Sequence, residues 1–186
     1  MKQEVRQHLL PLFILFIIIA TTWAITFVPF YQFIYLFFGF LWGAFFLDID
    51  HLIYWLYLKP QLPESQQATL FLKNKDLSSL LTLLENRHKH HTSLVFHHYF
   101  FQTALALVSF FIISSSANVF SSAFVIALNI HLLVDEFYDY HSNPRHLQQW
   151  LFAREQKQLP LSYLKHYLLF FTLLTLVFII ILISFF

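Results

Sequence analysis

The stretch Gly39-Phe40-Leu41-Trp42-Gly43-Ala44-Phe45-Phe46-Leu47-Asp48-Ile49-Asp50-His51 decides how this chain is read. An apolar run carrying both of the protein's glycines ends in two aspartates and a histidine, and Leu52 to Leu58 then resumes apolar sequence. Carboxylates in such a setting cost several kcal/mol unless they are paired, hydrated or bound to a cation, so the cluster marks a functional site by default. Glycines four residues apart let a neighbouring helix backbone approach closely, which would seat the acidic cluster against other helices.

Outward from this stretch, Asp, Glu, Lys and Arg are absent from three long blocks: Gln7 to Leu47 (41 residues), His90 to Val134 (45 residues) and His166 to Phe186 (21 residues). A membrane-spanning helix needs ~20 apolar residues, so each of the first two blocks holds two spans. Breaks fall at Val28-Pro29 and at Ser114-Ser115-Ser116-Ala117-Asn118. The expected fold is therefore all-α, a polytopic membrane helix bundle of about five spans at about 9–28, 30–58, 94–113, 117–137 and 161–186, forming a single integral membrane domain over 1–186. Tyr54, Trp55 and Tyr57 extend the second span as an interfacial aromatic belt.

Composition agrees. Of 186 residues, 58% are hydrophobic, 20% aromatic and 11% charged, with mean hydropathy +0.62, which is a membrane protein's balance. A formal charge of +1 gives no basic excess to track a phosphate backbone, so no nucleic-acid partner is expected and membrane lipid is. With no cysteine, any metal must be held by nitrogen and oxygen ligands, and 11 histidines make that a real prospect. With two glycines, Gly-rich phosphate loops are out of reach.

Lys2 and Arg6 precede an apolar run that continues through Trp23 to Phe27 without a small-x-small cleavage site, so the first span is expected to be retained. With the N-terminus cytoplasmic, all 11 Lys and Arg fall on the cytoplasmic side and the C-terminus lies outside, as the positive-inside rule asks. The cytoplasmic segments, about 59–93 and 138–160, are expected to form short interfacial helices. Asp76 is the expected N-cap of one, with Leu77, Leu80, Leu81 and Leu84 at helical spacing; Asn143-Pro144 opens the other, with Leu147, Trp150 and Leu151 on one stripe.

Three ionisable groups then meet at one membrane depth: Asp48, Asp50 and His51 at the end of the second span, His97 and His98 within the third, and His131 and Asp135 in the fourth. His131 and Asp135, at i and i+4, share a helical face. Asp48 and Asp50 differ by about 200° on a regular helix, so both can face one ion only if the helix is distorted there; Asp48 and His51 are the natural pair. The expected metal ligands are Asp48, Asp50, His51, His97, His131 and Asp135, with Asp50 as ligand or catalytic base and with His88, His90, His91 and Arg87 as additional metal or substrate groups. Carboxylate oxygens with imidazole nitrogens suit Zn²⁺, with Mn²⁺ or Fe²⁺ as alternatives. A helix-mediated oligomer through Gly39 and Gly43 is a further expectation.

These motifs resemble the membrane-bound metal-dependent hydrolase family of bacteria and archaea, inner-membrane hydrolases distantly similar to zinc-dependent phospholipases C. Its pattern is Pro-Asp-x-Asp-His, a His-Arg-Gly-x-Thr-His-Ser-like segment and His-Leu-Leu-x-Asp. Asp48-Ile49-Asp50-His51 matches the first with Leu47 in place of proline, and His131-Leu132-Leu133-Val134-Asp135 matches the third. Arg87-His88-Lys89-His90-His91-Thr92-Ser93 carries the residue types of the middle motif in another order and without its glycine, leaving His88, His90, His91 and His97 as alternatives there. The resemblance implies a metal-dependent hydrolase, and the function expected is attack on a phosphoester, such as a phospholipid headgroup, at the cytoplasmic leaflet. Two other readings remain: a b-type haem protein ligated by two of His51, His97, His98 and His131, and a non-enzymatic or ion-handling membrane protein.

Overall fold

The computed structural model describes residues 2–87, 91–115, 118–153, 155 and 159–184, with side chains from residue 6 onward. Helices run over Lys2–Ile25 (α1), Phe30–Phe46 (α2), Ile49–Ile53 (α3), Pro63–Lys73 (α4), Leu77–Arg87 (α5), Tyr99–Ser115 (α6), Val119–Ser142 (α7), Pro144–Leu151 (α8) and Leu161–Ser184 (α9), and α3 continues as a π-helical segment, Tyr54–Leu58. Among the described residues there is no strand. Four helical stretches are long and apolar enough to cross a membrane: Arg6–Ile25, Phe30–Leu58, Val119–Ser142 and Leu161–Ser184. The architecture is that of a multi-pass membrane protein.

α7 is the central helix. It packs on α1, α2, α6 and α9, most extensively on α2, and buries residues from Val119 to Glu136. The outward faces of the surrounding helices stay apolar, with Phe13, Phe37, Trp42, Phe111, Phe170 and Ile180 all exposed. A soluble bundle would carry charge there; a lipid-facing one keeps hydrocarbon.

The close approach of α2 to α7 comes from the two glycines. A Cβ on Gly39 would stand 2.6 Å from the Phe120 carbonyl oxygen and 2.7 Å from the Ala123 Cβ; one on Gly43 would meet the Ala127 Cβ and stand 2.7 Å from the Phe124 carbonyl oxygen. Glycine faces backbone and alanine, so the helices touch main chain to main chain. The face carrying this pair is thus filled by α7 of the same chain, and self-association through it would have to displace α7.

Because both glycines are committed to helix packing, helix ends that usually take glycine use other residues. Phe27 (φ 58°) and Lys75 (φ 56°) adopt the left-handed conformation, with Val28 N–H donating to the Trp23 carbonyl at 3.0 Å and Asp76 N–H to the Phe71 carbonyl at 2.9 Å. Both are Schellman closures, here without the residue that makes them inexpensive. Asp76 then caps α5 as expected, its Oδ1 accepting from Ser79 N–H at 3.0 Å, and this hydrogen bonding holds its carboxyl below the ordinary value.

The third expected span differs most. Residues 94–98 are not helical, and α6 starts at Tyr99. Its 17 residues rise about 26 Å at ~1.5 Å per residue, short of a ~30 Å hydrocarbon core. The shortfall has a local cause: residues 91–98 enter the bundle as irregular backbone to deliver histidines, which a regular helix would spread around its circumference.

Gly43→Ala is expected to cost about 1–3 kcal/mol through overpacking against Ala127 and the Phe124 carbonyl. The measurement is the thermal midpoint in detergent; a midpoint equal to wild type would contradict main-chain contact between α2 and α7.

Candidate metal centre

The site is assembled where α2 gives way to α3. Asp48 N–H donates to the Phe45 carbonyl at 3.2 Å, Asp50 N–H to Leu47 at 2.9 Å and His51 N–H to Asp48 at 3.2 Å, all i to i−3. This tight turn at Leu47–Asp48 is the distortion that the aspartate spacing requires, and it separates the two carboxylates by task.

Asp50, fully buried, accepts three hydrogen bonds: Val95 N–H on Oδ1 at 3.0 Å, Phe96 N–H on Oδ2 at 2.5 Å, and His97 Nδ1–H on Oδ2 at 3.3 Å. Its oxygens are committed to holding the 91–98 segment and one imidazole. That is the work of a positioning group, and acting as a base would first require breaking this set. Asp48 is different: its side chain is 25% exposed, and Oδ1 lies 3.8 Å from His131 Nε2.

His131 is fully buried, and its Nδ1–H donates to the Ala44 carbonyl at 2.8 Å. A carbonyl only accepts, so the proton sits on Nδ1 and Nε2 is turned into the site. Nε2 lies 3.4 Å from Asp135 Oδ2, and neither atom has a hydrogen-bond partner among the described residues. His97 repeats the arrangement from the opposite side: with Nδ1–H on Asp50, its Nε2 is 3.5 Å from the same Asp135 Oδ2. His8, from α1, stacks on His131 with ring centroids 4.0 Å apart and puts Nε2 3.4 Å from Asp135 Oδ1.

Asp135 is thus met by three imidazoles, His8 from α1, His131 from α7 and His97 from the irregular 91–98 segment. At the His131–Asp135 contact a lone pair faces a carboxylate oxygen in a largely buried setting without hydrogen-bond geometry, an arrangement that a cation between the two atoms would relieve. Ligands about 2.0–2.1 Å from a tetrahedral ion stand about 3.3 Å apart, close to the 3.4–3.5 Å separations here. The group His8, His131 and Asp135 can hold a metal ion. Metal-ligating histidines usually donate their other ring N–H to a carbonyl or carboxylate, as His131 and His97 do here to Ala44 and Asp50.

His51 is buried and hydrogen-bonds through Nδ1 to His91 Nδ1 at 2.7 Å, and its ring centroid is 5.8 Å from that of His97. It points toward His91 rather than pairing with Asp48. His91 Nε2 is 3.3 Å from Glu64 Oε1 on α4, and Glu64 Oε2 is 3.7 Å from Arg87 Nε. The π-helical segment supplies the walls around His91, Tyr54 stacked at 4.1 Å and Trp55 edge-on at 5.6 Å. His98 serves the helix start, its Nδ1 accepting from Phe100 N–H at 3.2 Å. His88 and His90 lie outside the described residues.

Two further polar groups frame the site. Glu136, fully buried beside Asp135, accepts from Gln102 Nε2 at 3.2 Å, and Gln102 accepts in turn from the Tyr167 hydroxyl, tying α6, α7 and α9 together. Asp139 Oδ2 accepts from His146 Nδ1 and Trp150 Nε1, both at 2.7 Å; this docks α8, and the Trp150 ring lies 6.2 Å from that of His97.

Sequence reasoning missed His8 and Glu64. His8 stands one residue inside the first charge-free block; a cytoplasmic N-terminus puts it at the depth of the other ligands, which was its available signal. Glu64 follows Pro63 at a helix start and has the ordinary look of a first-turn acid.

Asp50→Ala is expected to cost about 3 kcal/mol or more, since it orphans two backbone amides and an imidazole in a dry interior. Hydrogen exchange at Val95 and Phe96 reads it directly, and unchanged protection of both amides would contradict the positioning role.

No protein family, curated protein or solved structure matches the chain.

Proposed function

We propose that this protein is a metal-dependent membrane hydrolase that cleaves a phosphoester, such as a phospholipid headgroup, at the cytoplasmic leaflet. The observation that carries the reading is the 3.4 Å approach of buried His131 Nε2 to Asp135 Oδ2 without a hydrogen bond, flanked by His8 and His97. Carboxylates interleaved among the imidazoles favour a divalent cation, Zn²⁺ first, over haem, which would leave Asp48 and Asp135 as unexplained acids. The resemblance of Asp48-Ile49-Asp50-His51 and His131-Leu132-Leu133-Val134-Asp135 to the inner-membrane hydrolase motifs supports the reaction class.

In this reading α6 is a fifth, short span, the N-terminus is cytoplasmic, and α4, α5 and α8 lie at the cytoplasmic interface. The one-sided distribution of all 11 Lys and Arg supports that orientation. His8, His97, His131 and Asp135 hold the ion, with His51 and Asp48 at its margin. A bound divalent ion lowers the pKa of a coordinated water toward neutrality and polarises a phosphoryl oxygen. Asp48, a partly exposed carboxylate facing His131, would serve as the proton acceptor there, while Asp50 keeps His97 in orientation. Arg145, on the α8 side, steers an anionic headgroup.

Elemental analysis of the detergent-purified protein tests the site. Stoichiometric zinc, manganese or iron is expected in wild type, with loss in His131→Ala and Asp135→Ala and a weakened content in His8→Ala. Equal metal in wild type and both α7 variants would remove the site, and a metal-loaded protein that turns over no phosphoester in a headgroup panel would remove the hydrolase assignment.

A further inference from the structure

A histidine can bind a metal through only the nitrogen that carries no proton, so whatever decides the tautomer of His51 decides whether it can join the site. The structure holds a connected set that makes this decision from outside the bundle. Glu64, on α4, has one oxygen 3.7 Å from Arg87 Nε and the other 3.3 Å from His91 Nε2. A carboxylate beside a guanidinium is an acceptor, so the His91 proton belongs on Nε2. His91 Nδ1 is then an acceptor, and the 2.7 Å contact with His51 Nδ1 requires the proton to lie on the His51 side. His51 Nε2 then carries no hydrogen. Reverse the first assignment and the rest reverses: with a proton on His91 Nδ1, His51 Nδ1 becomes the acceptor and Nε2 carries the hydrogen.

We infer that Glu64 is a positioning residue that fixes, through His91, which nitrogen of His51, beside the metal centre, carries the proton. The place of His51 at the margin of a bound ion rests on the metal-site reading above; the tautomer assignment does not. Geometry around His91 supports a built relay. Its side chain is fully buried against the Tyr54 and Trp55 rings, which restrict rotation about the ring axis, and Ser65, next to Glu64, is fully buried too, fixing the first turn of α4. The arrangement is the carboxylate–histidine support of a metal ligand lengthened by one imidazole. It connects the α4–α5 hairpin, which packs on the π-helical segment, to the site.

Two measurements on the full chain in nanodiscs test this. In the metal-free protein, long-range ¹H–¹⁵N spectra of ¹⁵N-histidine-labelled material, assigned with His51→Gln and His91→Gln, should show His51 protonated at Nδ1 and His91 at Nε2. Glu64→Ala should shift His51 toward the Nε2-protonated form, and Glu64→Gln, whose amide oxygen still accepts, should keep the wild-type pattern. In chelator competition with zinc alone, Glu64→Ala should bind about 10–100-fold more weakly, and Glu64→Gln within about threefold of wild type by the same scale. A wild-type His51 protonated at Nε2, or an unchanged tautomer in a folded Glu64→Ala protein, overturns the inference. Failure of wild type to bind zinc overturns the metal-site reading and leaves the tautomer spectra to decide this one.

Discussion

Two backbone amides inside a helical bundle must find an acceptor, and Val95 and Phe96 find the Asp50 carboxylate. Irregular backbone at membrane depth survives only where protein satisfies it, since hydrocarbon offers no hydrogen bonds. Asp50 therefore makes room for a non-helical segment, and that segment is what allows His91 and His97 to face different partners a few residues apart. With a continuous helix in its place, the two imidazoles would lie on faces set by the helical period, and Asp135 would lose one of its three neighbours. The same carboxylate also fixes the His97 proton on Nδ1. One side chain thus determines a loop's path, a ring's orientation and a tautomer.

The break at Leu47–Asp48 and the glycine contact above it cooperate. Gly39 and Gly43 bring α2 onto the backbone of α7, which places the Ala44 carbonyl within reach of His131 Nδ1. Helix packing and ligand chemistry are here the same contact: the carbonyl that anchors His131 is one residue beyond the glycine that permits the approach. This accounts for where the chain places its only two glycines, and for the left-handed Phe27 and Lys75 at helix ends elsewhere.

Much of this was legible in the residues. Charge-free blocks located the helices because hydrocarbon tolerates few ions, and the acids and histidines stood out against that background. His131 and Asp135 share a face by simple periodicity, and the structure keeps them together. The need for a distorted helix at Asp48 and Asp50 followed from angular arithmetic. The rest depended on long-range geometry. Whether His51 turns to Asp48 or to His91 is set by the path of residues 91–98, which has no periodic signature. Span three was expected from position 94 because apolar composition does not distinguish a buried irregular segment from a helix. His8 required knowing which face of α1 meets α7, and α1 is apolar on nearly every face.

The contact between His8 and Asp135 has a consequence for how the protein is made. α1 leaves the ribosome well before α7, with α2, the α4–α5 hairpin and α6 between them. A polar imidazole on α1 therefore waits in or beside the bilayer until its carboxylate partner arrives, and the site forms only when helices distant in sequence dock. Assembly of the centre is thus a late event that reports completed insertion, so a bound ion would act as a latch across the finished bundle rather than as a nucleus for building it.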